Sequence, residues 1–106
     1  MPAPFACDMT AIPPEKRGAH HALIRHLMTE AVEEVSELPD GLAFRFPAEH
    51  YEAVTEFVGR ERLCCPFLTF ALEIWPEQGP LILRLTGAEG VKDFLRAELH
   101  LPIGTR

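Results

Sequence analysis

Glu61-Arg62-Leu63-Cys64-Cys65-Pro66-Phe67 decides how the chain is read, because a helical pattern stops inside it and an alternating one begins. Upstream, Tyr51, Val54, Phe57 and Val58 form the apolar stripe of a helix expected over residues 47–63. Glu61 lies four residues after Phe57 and seven after Val54, so its carboxylate continues that stripe inward while Arg60 faces water. Pro66 has no N–H for a further turn and pushes Cys65 toward extended geometry. Beyond it, Phe70, Leu72 and Ile74 share one face of a strand expected over residues 67–75.

Working outward, Pro39-Asp40-Gly41 separates apolar runs at 35–38 and 42–46. Proline presets φ there and glycine accepts a positive φ, which predicts a hairpin with Leu42, Phe44 and Phe46 on its buried face. A second hairpin pairs 67–75 with 81–86, where Leu81, Leu83 and Leu85 alternate. A first helix is expected from about residue 14 to 34. Proline suits its first turn, and Leu23, Ile24, Leu27, Met28, Ala31 and Val35 recur along one face. His20 falls four residues before Ile24 and seven before Leu27, on or beside that face; His21 lies at its edge and His26 toward water. Thr86-Gly87-Ala88-Glu89 has capping-box spacing and predicts a last helix carrying Val91, Phe94, Leu95 and Leu99, with fraying after His100. Trp75 and the phenylalanines are expected in the core.

The order helix, two strands, helix, two strands, helix predicts an α+β fold in which helices pack on one face of a four-stranded antiparallel sheet. Residues 13–106 form a single domain in this reading. Residues 1–12 form an extended arm anchored through Phe5, Met9 and Ile12.

A net charge of −6 over 106 residues, without a cluster of Lys and Arg, excludes a nucleic-acid footprint. No apolar run is long enough to span a bilayer, so no membrane partner is expected. The N-terminus has neither the basic start nor the apolar segment of an export signal, and the expected location is cytoplasmic. In a reducing compartment three cysteines read as free thiols or metal ligands rather than a disulfide framework.

Adjacent cysteines are suited to holding a third atom, since bonding them to each other closes a strained ring while both sulfurs stay available to a shared partner. Soft ions such as Cu(I), Hg(II), As(III) and Zn(II) favour thiolate ligands. Two sulfurs fall short of the four ligands of a structural zinc site, and Cys7, His20, His21 and Glu61 are the candidates to complete the set. The leading expectation is a thiol-based binding protein for a metal ion or small thiophilic ligand. Cys64 and Cys65 are its ligands, Cys7 is the third, and Glu61 and His20 support them.

Each residue also has a plainer reading: buried cysteines as small apolar side chains, Glu61 paired with Arg17, Arg60 or Arg62, and Cys7 as an anchor. The enzymatic or redox alternative makes Cys64 or Cys65 a nucleophile with Glu61 or His20 as base. Against it, the C-terminal end of a helix raises a thiol pKa. The chain also lacks Cys-x-x-Cys, His-Glu-x-x-His, Gly-x-Ser-x-Gly and a Gly-rich phosphate loop. A third alternative is a structural module, a homodimer pairing its sheet, with inert cysteines.

Leu38-Pro39-Asp40-Gly41, Glu61 through Phe67 and Leu85-Thr86-Gly87-Ala88-Glu89-Gly90-Val91-Lys92 resemble the signature segments of a family of small, mostly uncharacterised bacterial proteins. The resemblance covers most of the chain from about Cys7. It implies an association with mercury or other heavy-metal handling, carried here by Glu61, Cys64 and Cys65.

Overall fold

The computed structural model describes residues 6–101. In chain order the elements are α1 (Pro14–His26), β1 (Glu34–Leu38), β2 (Gly41–Phe46), α2 (Tyr51–Cys64), β3 (Thr69–Ile74), β4 (Leu81–Thr86) and α3 (Val91–Glu98). The four strands form one antiparallel sheet in the order β1-β2-β4-β3. This is the expected α+β fold.

Register explains the core. Leu42, Phe44 and Phe46 stand opposite Leu85, Leu83 and Leu81, which stand in turn opposite Phe70, Leu72 and Ile74, so three rows of apolar side chains share one face. The six on β2 and β4 are buried, and Val54, Phe57, Val91 and Leu95 from the helices close over them. The other face is more open and carries Arg45, Glu73 and Arg84, with an Arg84–Glu73 ion pair across β3 and β4. Lys92 and Arg96 of α3 reach Glu37 on β1 and tie the last helix to the far edge of the sheet.

Several local expectations need correction. The first helix does not run on to residue 34: its α-turns end at His26, a wide π-turn over Leu27–Ala31 follows, and Glu34 already belongs to β1. The Val32 N–H reaches back to Leu27 O at 2.8 Å, and the Glu33 N–H is claimed by Arg45 O at 2.7 Å, so strand pairing outcompetes another helical turn. Thr86 does not cap α3, because it is paired in β4; the residue before the helix is Gly90, in left-handed conformation at φ 95°. Trp75 and Ile74 are 49% and 57% exposed, since β3 is an edge strand whose end outruns the helical cover, and Tyr51, beside them, is exposed as well. Phe5 lies outside the described residues, as do residues 102–106, while Leu101 still packs into the core.

The glycine of the first hairpin is needed for a different reason than turn conformation. Gly41 has no positive φ; it is paired to Thr86, and a Cβ there would collide with the carbonyl oxygen of Leu85. Gly41→Ala forces β2 and β4 apart where the core rows begin. We expect it to lower stability by about 1–3 kcal/mol, read from the urea midpoint, whereas an unchanged midpoint would show that the strands part freely at this end.

Among the described residues no helix is long and apolar enough to cross a membrane.

Candidate metal centre

Helix α2 delivers three of the donors. Glu61, Cys64 and Cys65 are spaced i, i+3 and i+4, which places them on one side of the last turn. The Cys65 N–H closes that turn on Glu61 O at 2.8 Å, and Pro66 then ends the helix. All three residues are fully buried.

The fourth donor arrives from the arm. Its Asp8 N–H donates to the Cys64 carbonyl at 2.9 Å, satisfying one of the helix-end acceptors that has no partner within α2. Asp8 also accepts from Thr10 and starts a single 3-10 turn, Met9–Ala11, where the expected arm was extended throughout. Arg17 Nε of α1 donates to Met9 O at 2.9 Å and Ile12 O at 3.0 Å, and Ile12 is fully buried. Pinned at these points, the arm holds the half-buried Cys7 over the pair. Its Sγ lies 2.7 Å from Cys64 Sγ and 3.0 Å from Cys65 Sγ, and the latter two are 3.8 Å apart.

Glu61 turns its carboxylate into the group. Oε2 accepts from the Cys65 thiol at 3.4 Å, and Oε1 lies 3.6 Å from Cys64 Sγ and 2.9 Å from His20 Nε2. None of the three arginines considered for it is the partner: Arg17 serves the arm, Arg60 pairs with Glu56, and Arg62 is exposed. His20 comes from the inner face of α1, fully buried and stacked on Phe57 at 6.0 Å.

Charge in such a cluster is unevenly shared. Hydrogen bonds from Cys65 and Cys7 hold the Cys64 thiol far below its ordinary value against the opposing effect of burial, and His20 adds to them. The same contacts raise Cys7 and Cys65, which must stay protonated to donate, and burial raises both further. Of the three sulfurs in contact, Cys64 is the one whose ionisation the neighbours favour. The expectation from the helix dipole alone, a raised thiol at the end of α2, is met at Cys65 but reversed at Cys64 by two neighbouring sulfurs at contact distance. Burial by itself would lower His20, but the Cys64 and Glu61 hydrogen bonds and charges carry it up to about 9. Burial raises Glu61, with His20 opposing. His20 Nδ1 has no hydrogen-bond partner among the described residues.

The donor atoms of Cys7, Glu61, Cys64 and Cys65 all lie within 4.8 Å of one another, a grouping that could hold a metal ion. The donor chemistry fits a soft one: three sulfurs and one carboxylate oxygen, without the oxygen cage of a hard cation. The Cys64–Cys65 separation of 3.8 Å equals the edge of a tetrahedron with sulfur bonds of about 2.3 Å. Cys7 stands closer than that to both partners, so it withdraws by about 1 Å to become a ligand on the same geometry.

Of the residues singled out from the sequence, Cys7, Glu61, Cys64 and Cys65 meet. His20 bonds to Glu61 and acts on Cys64, and it stands outside the set of four. His21 is exposed and lines a neighbouring cleft with Cys7. Sequence reasoning missed Glu98, which lines the cleft beside Cys7 and adds to the upward push on its thiol. Nothing in its local pattern could reveal it, because α3 and the arm are adjacent only in three dimensions. Comparison with family models, with curated proteins and with solved structures returns no match for this chain.

Proposed function

We propose that the protein binds a soft, thiophilic metal or metalloid ion through Cys7, Cys64 and Cys65, with Glu61 as the fourth donor and His20 holding that carboxylate. The observation that carries this reading is the approach of all four donor atoms to within 4.8 Å of one another, three of them buried. Burial makes the site selective. Hard cations lose hydration that one carboxylate cannot replace, whereas soft ions exchange weakly held water for thiolates. The resemblance of the Glu61–Phe67 segment to proteins associated with heavy metals points the same way.

Titration of the reduced protein with Hg(II), Cu(I), As(III) and Zn(II), followed by sulfur-to-metal charge-transfer absorption where the ion gives it and by competition with a small dithiol otherwise, tests the reading. Uptake of one equivalent of at least one ion, surviving the competitor, is expected. If every ion is surrendered at once to the dithiol, the site does not bind soft ions.

A second reading is supported by the 2.7 Å between Cys7 and Cys64, which is nearer a disulfide bond of about 2.05 Å than two ligand sulfurs would be. In it, the two thiols exchange with a low-molecular-mass disulfide, RSSR, giving the Cys7–Cys64 bond and two RSH, while Cys65 stays reduced beside Glu61. A mass loss of about two hydrogens located on the Cys7 and Cys64 peptides after equilibration in a thiol–disulfide buffer supports it. Retention of three free thiols at oxidising poise removes it.

A further inference from the structure

Cys7 has a second environment. On the side away from Cys64 and Cys65 it lines a cleft of about 690 Å³ between α1 and the end of α3. Cys64 and Cys65 are fully buried, so of the three thiols only Cys7 faces this space. A bare ion needs a few tens of Å³, whereas a cleft of this size matches a small organic ligand. Its walls are apolar and sulfur-bearing near Cys7, where Met9 and Met28 contribute thioethers, themselves soft and weakly ligating. The exposed Arg25 on the α1 wall supplies positive charge and has no ion-pair partner among the described residues, while Glu98 on the α3 wall supplies a negative one.

We propose that this cleft receives the soft ion as its complex with a carboxylate-bearing, low-molecular-mass thiol, and that Cys7 is the first protein sulfur to displace that thiol. The inference rests on the soft-ion reading above and adds the form in which the ion arrives. Soft ions in a thiol-containing solution are held as thiolate complexes rather than as free ions. A chain of net charge −6 repels an anionic complex, and the unpaired Arg25 guanidinium on the α1 wall of the cleft offsets that repulsion for a ligand carboxylate at the place where exchange occurs.

The chemistry is two ligand exchanges without redox change. In the first, M(SR)₂ and the Cys7 thiol give Cys7–S–M–SR and RSH, the Cys7 proton leaving on the departing thiolate. In the second, the Cys64 sulfur forms a bond to M as the remaining M–SR bond breaks, and the Cys64 proton leaves on the departing thiolate as RSH. The arm thereby carries the ion from the cleft to the buried pair, and Cys7 withdraws from its close contacts with Cys64 and Cys65 as the ion enters between them.

The test compares Hg(II) supplied as its two-to-one complex with glutathione, which is anionic, and with 2-aminoethanethiol, which is cationic. Transfer is followed by stopped-flow absorption into the reduced wild type and into Arg25→Glu. The amplitude reports the thiol site and the rate reports the cleft. Wild type is expected to load faster from the glutathione complex. Arg25→Glu should slow that transfer about tenfold and leave transfer from the cationic complex as fast or faster. In a metal-free arm, S-methylglutathione should shift the NMR signals of the Met28 methyl and the His21 ring. Rates indifferent to donor and to Arg25→Glu, with no shifts at Met28 or His21, overturn the cleft while leaving the thiol site standing. Absence of loading from either donor instead sinks the soft-ion reading and this inference with it.

Discussion

Replacing Cys64 and Cys65 together by serine is expected to weaken soft-ion binding on the order of a thousandfold, equivalent to about 4 kcal/mol. The two sulfurs stand 3.8 Å apart at a helix end held by the Cys65-to-Glu61 backbone bond, so they form the rigid half of the site. Serine keeps the shape and a donor for Glu61, but its hard, protonated oxygen has little affinity for a thiophilic ion. Cys7 is the movable half, already closer to its partners than ligand geometry allows. Cys7→Ser alone should therefore cost less, about ten- to a hundredfold, because the rigid pair and Glu61 remain. Competition titration against a small dithiol measures both variants, with circular dichroism to confirm that each is folded. A double variant that binds as tightly as wild type would place the ion elsewhere.

Some of this site is legible in the chain and some is not, and the division follows the range of the interactions. The inward phase of Glu61 and the stop at Pro66 are set within one or two helical turns, so spacing alone locates them. The same local spacing misleads at residues 32–35, where Val35 fits a helical stripe and a strand equally well. Only the hydrogen bond from Glu33 to Arg45 and the pairing of Glu34 with that residue decide for the strand. Trp75 fails for a related reason. An apolar residue at a strand end is buried or bare according to strand order, and local pattern does not say that β3 is an edge. The acid–base character of the thiols depends on which sulfurs touch: the dipole of α2 argues for a raised Cys64, whereas hydrogen bonds from the adjacent Cys65 and from Cys7, 57 residues away, lower it. The cleft beside Cys7 is more distant still, since it exists only where α1 and α3 meet.

His20→Ala is expected to destabilise the protein by about 3–5 kcal/mol at neutral pH while leaving all four donor residues in the sequence. Its imidazole is the positive or hydrogen-bonding partner of a carboxylate with no exposure at all, and the stacking on Phe57 is lost with it. Without His20, Glu61 has two ways to remain buried. It can stay ionised and uncompensated, or it can take up a proton against an ordinary value of 4.5, which at pH 7 costs about 3 kcal/mol. The second is the cheaper and sets the sign of the pH dependence. A carboxyl whose folded pKa is raised contributes full stability below its unfolded pKa and loses it as pH rises toward the folded value. The penalty of His20→Ala should therefore shrink as pH falls from about 7 to about 5. Glu61→Gln removes the charge but keeps an acceptor for His20 and a donor for sulfur, so in that background His20→Ala should cost only its packing, about 1–2 kcal/mol. Urea unfolding of the four proteins at both pH values measures the coupling. An equal cost for His20→Ala with glutamate and with glutamine at position 61 would mean that His20 acts by packing, and that the Glu61 carboxylate is held by the thiols instead.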